Sequence, residues 1–412
     1  MSINIWYVSK YISPPSRGVV GGRGYHLMRE LALMGHKITL ITSNSNQLAT
    51  PPELKTNYLV QEVDGMHLCW IRTIKYSVAK SLRRILSWLH FEWRLLWLPK
   101  HYLPTPDVVV VSSLSLLTVL NGLRWRIQYK CRLIFEVRDI WPLTLIEEGG
   151  FSTTNPLIKF LGFVEYLGYK HADAIVGTMP NLRKHVKKVL GYPKKTFCIP
   201  MGIDASISGC PIPLPADFEA SYFPSGKFIV AYVGSVGITN ALETFFNCAD
   251  RMKGESKIHF LIVGDGDLLE SFKKKYSHFC NLTFAPCVPK EMVQSVLTKC
   301  DLLYFSVHSS EVWKYGQSLN KVVDYMMAEK PIVASYTGYP SMINEAACGT
   351  FVPAGNENAL NQEILRYYNM SKDERRELGA RAKTWLIQNR TYKKLAMDYL
   401  DILVDSKCTQ SV

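Results

Sequence analysis

The sequence predicts an α/β chain of two Rossmann-like domains, each a doubly wound parallel sheet, and three observations carry that expectation. Short apolar runs alternate with amphipathic, helix-periodic segments along almost the whole length. The alternation lapses once, over 201–226, where "GIDASISGCPIPLPADFEASYFPSG" is rich in Pro, Gly and Ser. It then restarts with the same rhythm. At 412 residues the chain is too long for one ordinary core and suits two. The boundaries read as a first domain over 1–200, a linker over 201–226 and a second domain over 227–390.

In the first half, "NIWYVS", "HKITLIT", "DVVVVSS", "RLIFEVRD", "DAIVGT" and "TFCIPM" read as buried strands. Between the first two lies "GYHLMRELALMG", a helix with Leu27, Leu31 and Met34 on one face and Gly35 at its stop. In the second half the strands are "FIVAYVG", "IHFLIVGDG", "LTFAPCV", "DLLYFSV" and "PIVASYT". A last helix at about 391–405, "TYKKLAMDYLDILVD", places Leu395, Tyr399, Ile402 and Leu403 at helical spacing and is expected to pack back on the first domain.

Composition narrows the function classes. With 47% apolar and 20% charged residues the chain is globular. A net charge of +13 asks for an anionic partner: nucleic acid, an anionic membrane face or a phosphorylated substrate. No nucleic-acid motif accompanies the charge. The ten cysteines show no CxxC pair or metal-ligand spacing, and Cys131 and Cys198 sit in apolar runs, a pattern that suits a reducing compartment and no metal site. The start, "MSINIWYVSKY", goes straight into a strand, with no leader pattern. The stretch 75–102 mixes Lys80, Arg83, Arg84 and Arg94 with Trp88, Trp93 and Trp97. It is too charged to span a bilayer and suits a helix lying on an anionic membrane surface. The alternative is that Leu86, Leu89, Trp93 and Leu96 face the core.

Ligands of open α/β sheets bind at the carboxyl ends of the strands, so the loops there hold the candidates. After the first strand, Gly21 and Gly22 would let backbone approach a phosphate or sugar at a helix N-terminus. They stand against a plain tight turn. In the second domain Gly234, Ser235 and Gly237 occupy the matching loop, and Gly264, Asp265 and Gly266 the next. Asp265–Gly266–Asp267 imitates a metal-holding Asp-x-Asp, but a turn with Asp267 capping the next helix is the better expectation. In "KYGQSLNKVVDYMMAEKPIVAS", Asn320 and Lys321 open a helix whose amides and dipole would stabilise a diphosphate, Lys321 adds a charge, and Asp324 would reach a ribose hydroxyl. Simple capping by Ser318 or Asn320 is the alternative. Arg138 and Asp139 follow "LIFEV" at a strand end, as an acceptor-positioning pair or a structural ion pair. Glu147 and Glu148 lie just beyond.

These residues together resemble the family-4 retaining glycosyltransferases of the GT-B fold, over essentially the whole chain. The Gly21–Gly22 loop with "LMRELALMGHKITLIT" is similar to the family's opening; "HADAIVGTMPNLRKHV" with "FCIPMGID" is similar to its end-of-domain signature. "GSVGITNALE", "LIVGDG" and "NEAACGTFVPAGNENAL" resemble its donor-domain segments. "FEVRDIWP" and "YGQSLNKVVDYMMAEKP" resemble the bacterial subgroup that transfers amino sugars while O-antigen or capsule repeat units are built. Two positions depart from the pattern. Of two glutamates separated by seven residues in the broad family, the second falls on Asp324 and the first on Gly316. The basic residue that usually follows the "GSVG" loop is replaced by "ITN"; either Lys321 is the substitute cation or the enzyme is weak or inactive.

The resemblance implies two domains whose parallel sheets face a central cleft. The first would bind acceptor and the second a nucleotide sugar. It implies a UDP-sugar donor, with an N-acetylamino sugar the expected sugar, a lipid-diphosphate-linked glycan acceptor, and a cytoplasmic enzyme peripheral on the inner membrane face. No cofactor or metal is implied, and no nucleic acid. Donor contacts would come from Gly21, Gly22, Gly234, Ser235, Gly264, Asp265, Ser318, Asn320, Lys321 and Asp324, with the base near 285–292. Arg138, Asp139 and Lys321 would serve catalysis, and Arg138, Asp139 and Glu147 the acceptor. A GT-B nucleotide-sugar epimerase and a catalytically degenerate nucleotide-binding protein are the rivals. A Rossmann dehydrogenase lacks its fingerprint here.

Overall fold

The structure, a computed structural model, describes residues 2–12, 14–15, 21–46, 50–76, 82–99, 103–204 and 211–404. It divides into two compact units, Met1–Pro200 with Tyr392–Val412, and Met201–Thr391.

Unit 1 is built on an eight-stranded sheet: β1 (Asn4–Val8), β2 (Lys37–Ser43), β3 (Tyr58–Val63), β4 (Met66–Ile71), β5 (Val108–Ser112), β6 (Arg132–Val137), β7 (Ala174–Gly177) and β8 (Thr196–Cys198). The spatial order is β3-β4-β2-β1-β5-β6-β7-β8. All pairs are parallel except β3 with β4, which form an antiparallel hairpin at one edge. The sheet is therefore mixed where a wholly parallel one was expected. Neither hairpin strand stands in the list of expected strands, although "EVDGMH" carries the Asp-Gly turn that favours a hairpin.

Alternate residues of each strand face opposite ways. Ile5, Tyr7, Val108, Val110, Ile134 and Val176 join one core with α1 (Arg23–Leu33) and the C-terminal helix, α15 (Tyr392–Val404). Leu27 and Leu31 lie in that core, as their spacing requires. On the other face Trp6 meets Trp125 of α3 (Thr118–Tyr129), and Phe135 meets Tyr169 of α5 (Pro156–His171). Helix α2 (Leu82–Leu96) packs beside α3. A short α4 (Leu143–Glu147) follows β6, and α6 (Leu182–Leu190) precedes β8.

Unit 2 opens with α7 (Ala216–Tyr222), inside the stretch read as linker. Met201, Ile203 and Leu214 are buried in this unit's core, so apolar residues scattered among the prolines draw that stretch into the fold. The sheet has six strands, all parallel, in the order β11-β10-β9-β12-β13-β14. They are β9 (Phe228–Val233), β10 (Ile258–Val263), β11 (Leu282–Ala285), β12 (Leu302–Ser306), β13 (Ile332–Ser335) and β14 (Gly349–Val352). β9, β10 and β12 are buried at every residue, as sheets covered on both faces demand. The connecting helices are α8 (Glu243–Arg251), α9 (Leu269–Tyr276), α10 (Val293–Thr298), α11 (Asn320–Met327), α12 (Met342–Glu345), α13 (Glu357–Asn369) and α14 (Lys372–Asn389).

Candidate functional site

In unit 2 the loops after β9 and β10 lock together. Gly234 N–H donates to Val263 O at 3.0 Å, Val236 N–H to Asp265 O at 2.8 Å and Leu268 N–H to Val236 O at 3.1 Å. The approach leaves no room for side chains at two glycines. A β-carbon on Gly264 would lie 1.9 Å from Gly234 O, and one on Gly266 2.4 Å from Val236 O. Gly234, Ser235, Gly264 and Asp265 thus meet at the carboxyl ends of adjacent strands. Asp265 turns back to accept from Gly266 N–H at 2.7 Å. Asp267 does not cap α9: the helix is preceded by Leu268 and has no side-chain cap. Among the described residues no cluster of metal-ligating side chains forms.

Lys321, in the first turn of α11, reaches into this corner. Its Nζ donates to Tyr232 Oη at 2.8 Å and to Asn240 Oδ1 at 2.5 Å, and sits 3.6 Å from where a β-carbon of Gly234 would be. The Tyr232 hydroxyl in turn donates a hydrogen bond to Ser235 O at 2.5 Å. Both partners of Lys321 are neutral, so burial without a counter-ion pushes the ammonium down to about 8. The loop that lacks its own basic residue receives one from α11, with Asn240 of "ITN" as acceptor.

α11 begins without a side-chain cap, its N-cap being Leu319. The capping alternatives are therefore not realised. Ser318 Oγ instead accepts from Met201 N–H at 2.8 Å, tying the start of the unit to this loop, and Asn320 is exposed. Gln317 is 5% exposed; its Oε1 accepts from Leu319 N–H at 3.3 Å, while its Nε2 is buried with no acceptor among the described residues. Tyr325 fixes the helix to the strand ends, accepting from Val233 N–H at 2.8 Å and donating to Val233 O at 3.0 Å. Asp324, one turn along, is half-buried and paired with Lys290 at 2.5 Å. Tyr232, Asn240, Gln317, Tyr325 and Lys290 were not singled out from the sequence. Only "ITN", flagged as a departure, carried a signal.

Gly316 has φ of +109°, a region that favours glycine. A glutamate there would strain the backbone, so the departure is built into the path of this loop.

The remaining expected residues belong to unit 1. Gly21 has φ of +93° and Gly22 precedes α1, which also lacks a side-chain cap. Arg23 turns inward: its Nη1 meets Glu136 Oε2 at 2.9 Å, and Nε and Nη2 donate to Ile199 O at 3.2 and 2.6 Å. Tyr7 and Tyr399 hydroxyls donate to Glu136 at 2.7 and 3.2 Å. Burial would raise the Glu136 carboxyl, but Arg23, then Arg138, hold it below its ordinary value. Beyond β6, Ser113 Oγ accepts from Arg138 N–H at 2.9 Å and donates to Asp139 O at 3.0 Å, fixing that loop. Glu147, last in α4, is exposed. Cys131 is buried as expected, whereas Cys198, on edge strand β8, is exposed.

On α2, Leu86, Leu89, Trp93 and Leu96 are exposed rather than turned to the core. Lys80 lies outside the described residues. Glu92 points inward, accepting from Thr118 Oγ1 at 2.6 Å, Ser115 Oγ at 2.8 Å and Asn121 Nδ2 at 2.9 Å. Burial pushes it up to about 7. Among the described residues no helix is long and apolar enough to cross a membrane.

Comparison with known proteins places this geometry. Residues 23–207 match the model "Glycosyltransferase Family 4" and residues 227–370 the model "Glycosyl transferases group 1". The second covers the whole sheet of unit 2 and the first covers that of unit 1 from α1 onward, without β1, and together they span most of the chain. The chain is a glycosyltransferase of the GT-B fold. Among solved structures, sucrose-phosphate synthase from Thermosynechococcus elongatus is similar at 15% identity and a TM-score of 0.69, over 99% of this chain and 100% of that one. A trehalose-6-phosphate protein of E. coli bound with UDP-2-fluoro glucose is similar at 13% identity and a TM-score of 0.72, over 97% and 98%. HepE of Anabaena in complex with UDP and glucose is similar at 12% identity and a TM-score of 0.65, over 98% and 99%. At such identities these establish the fold. No curated protein matches by sequence.

Proposed function

We propose that the chain transfers a sugar, an N-acetylamino sugar, from a UDP-sugar with retention of configuration to a lipid-diphosphate-linked glycan, at an anionic membrane face where surface polysaccharide repeat units are assembled. The observation that carries the reading is Lys321: a half-buried ammonium with no counter-ion among the described residues, beside a glycine loop and at the uncapped N-terminus of α11. Breaking the bond between an anomeric carbon and a diphosphate leaves negative charge on the departing phosphate. Lys321, the α11 amides and the Gly234 loop supply preorganised donors for it, so the reaction needs no resident metal. Asp324 accepts from a ribose hydroxyl with the oxygen that Lys290 leaves open. Arg138 and Asp139, on a loop braced by Ser113, position the acceptor, with Glu147 further out. Structural neighbours holding UDP with glucose or UDP-2-fluoro glucose support a UDP-sugar donor.

Sucrose-phosphate synthase is named for a soluble product. The exposed apolar face of α2 favours a lipid-linked acceptor instead. The test is incubation with a panel of UDP-sugars and prenyl-diphosphate-linked monosaccharides. Formation of an α-linked disaccharide-lipid with UDP release, undiminished by EDTA, is the expected result. Isomerised nucleotide sugar without acceptor would point to an epimerase, and UDP binding without turnover to a degenerate protein.

A further inference from the structure

We propose that α2 and α5 form one continuous face by which unit 1 docks on an anionic lipid bilayer, with Phe160 and Phe163 as a second apolar anchor beside the tryptophans of α2. The inference rests on the membrane-acceptor reading above and extends it to a helix that neither the family nor the sequence had marked.

α5 buries Ile158, Leu161, Val164 and Gly168 against the sheet side, yet its opposite face is also apolar. Phe163 is 58% exposed, Phe160 48% and Leu157 46%. On α2, Leu82, Ile85, Leu86, Leu89, Trp93, Leu96 and Trp97 are exposed at spacings of three and four, one unbroken stripe. Isolated apolar side chains on a surface need no explanation, but two such stripes on the helices that flank α3 do. They are joined by contacts within the unit: Trp88 meets Trp141 edge-on at 5.6 Å, and the next residue, Pro142, lies against Gly162 of α5. α3 lies next to both helices, and Arg124 donates to Leu96 O at 2.7 Å. α3 adds exposed Leu120 and Ile127.

Charge decides what covers this face. α2, α3 and α5 hold two acids in all, Glu92 and Glu165. Both are turned inward, Glu92 onto Ser115, Thr118 and Asn121, and Glu165 onto His185 at 2.7 Å. The charges left outside are basic: Arg83, Lys159 and Lys170 are exposed, and Arg84 and Arg94 half-buried. The nearest exposed acids in sequence, Glu147 and Glu148, lie past Pro142 at the end of α4. Apolar side chains ringed by Lys and Arg, with acids withdrawn, match a bilayer whose headgroups are anionic.

The experiment is co-sedimentation of the full chain with vesicles of equimolar phosphatidylglycerol and phosphatidylcholine, or of phosphatidylcholine alone, at low salt. The wild type is compared with Phe160→Ser/Phe163→Ser and with Trp93→Ser/Trp97→Ser. UDP binding and melting temperature serve as controls for the fold, and sedimentation velocity reports self-association. The expected result is partitioning to anionic vesicles that weakens at least about tenfold in the Phe160/Phe163 variant, with UDP binding intact. Wild-type partitioning by the Phe160/Phe163 variant, with loss only in the Trp93/Trp97 variant, overturns the role of α5 and leaves the membrane reading standing. No partitioning of the wild type overturns both, as does equal partitioning to the neutral vesicles for the anionic surface. Self-association abolished by Phe160→Ser/Phe163→Ser, with vesicle binding unchanged, would assign the face to a second copy of the chain.

Discussion

At the scale of single residues the proposed chemistry rests on Lys321. Replacing it with Ala should reduce turnover by at least about 10²-fold, the scale for losing one transition-state donor. Near-wild-type turnover would remove it from the mechanism. Its depressed pKa, about 8, gives a second reading of the same group. The cation persists below that pH and is lost above it, so kcat/KM, which reports the free enzyme, should fall with a limb near pH 8. Lys321→Arg should move that limb out of range. For stability the sign is opposite: the unfolded chain holds the proton up to the ordinary lysine value. Lys321 therefore costs stability below about pH 8, and the cost is relieved as pH rises through that window. From sequence, Lys321 was legible as a helix-opening cation. Tyr232 and Asn240 were not, because their meeting depends on how two loops and a helix converge, which no spacing encodes.

Elements explain what the residues can reach. The loops after β9 and β10 are legible as glycine-rich turns, but their interlocking is a matter of close backbone approach. Gly316 shows the same limit. The sequence marks it as a missing carboxylate, whereas its φ of +109° makes it a requirement of the loop that delivers α11. Restoring the acid by Gly316→Glu should therefore not raise activity, and should destabilise unit 2 by about 1–3 kcal/mol through strain. Denaturant titration and a rate measurement on the same preparation check both halves. The edge hairpin went unread although Asp64–Gly65 announces it, because β3 is only half-buried and lacks a clean apolar run. α2 was legible as a periodic helix. Which way its stripe faced was not, since apolar periodicity is the same for a core and a membrane.

For the whole molecule, the two successive parallel sheets were readable, apart from the edge hairpin of the first, because buried parallel strands write themselves as continuous apolar runs. What ties the C-terminal helix into unit 1 was hidden. Arg23, Glu136, Tyr7 and Tyr399 come from α1, β6, β1 and α15 and meet with no solvent access. Arg23→Met leaves Glu136 buried and unpaired and should cost about 3–5 kcal/mol, measured by chemical denaturation. Because Glu136 is held below its ordinary value, the stability it contributes is present above the usual carboxylate range and is lost as pH falls through its folded pKa. The net charge of +13 finds part of its reason in the basic helices of unit 1.

A metal-independent UDP-sugar site built around Lys321 requires a nucleotide response that is specific to UDP and indifferent to chelator. The most direct measurement is a thermal-shift screen of wild type and Lys321→Ala against UDP, GDP, ADP and CMP, with and without EDTA. Stabilisation of the wild type by UDP alone, unchanged by EDTA and diminished in Lys321→Ala, is the predicted result. No shift with any nucleotide, or a UDP shift that EDTA abolishes, would contradict it.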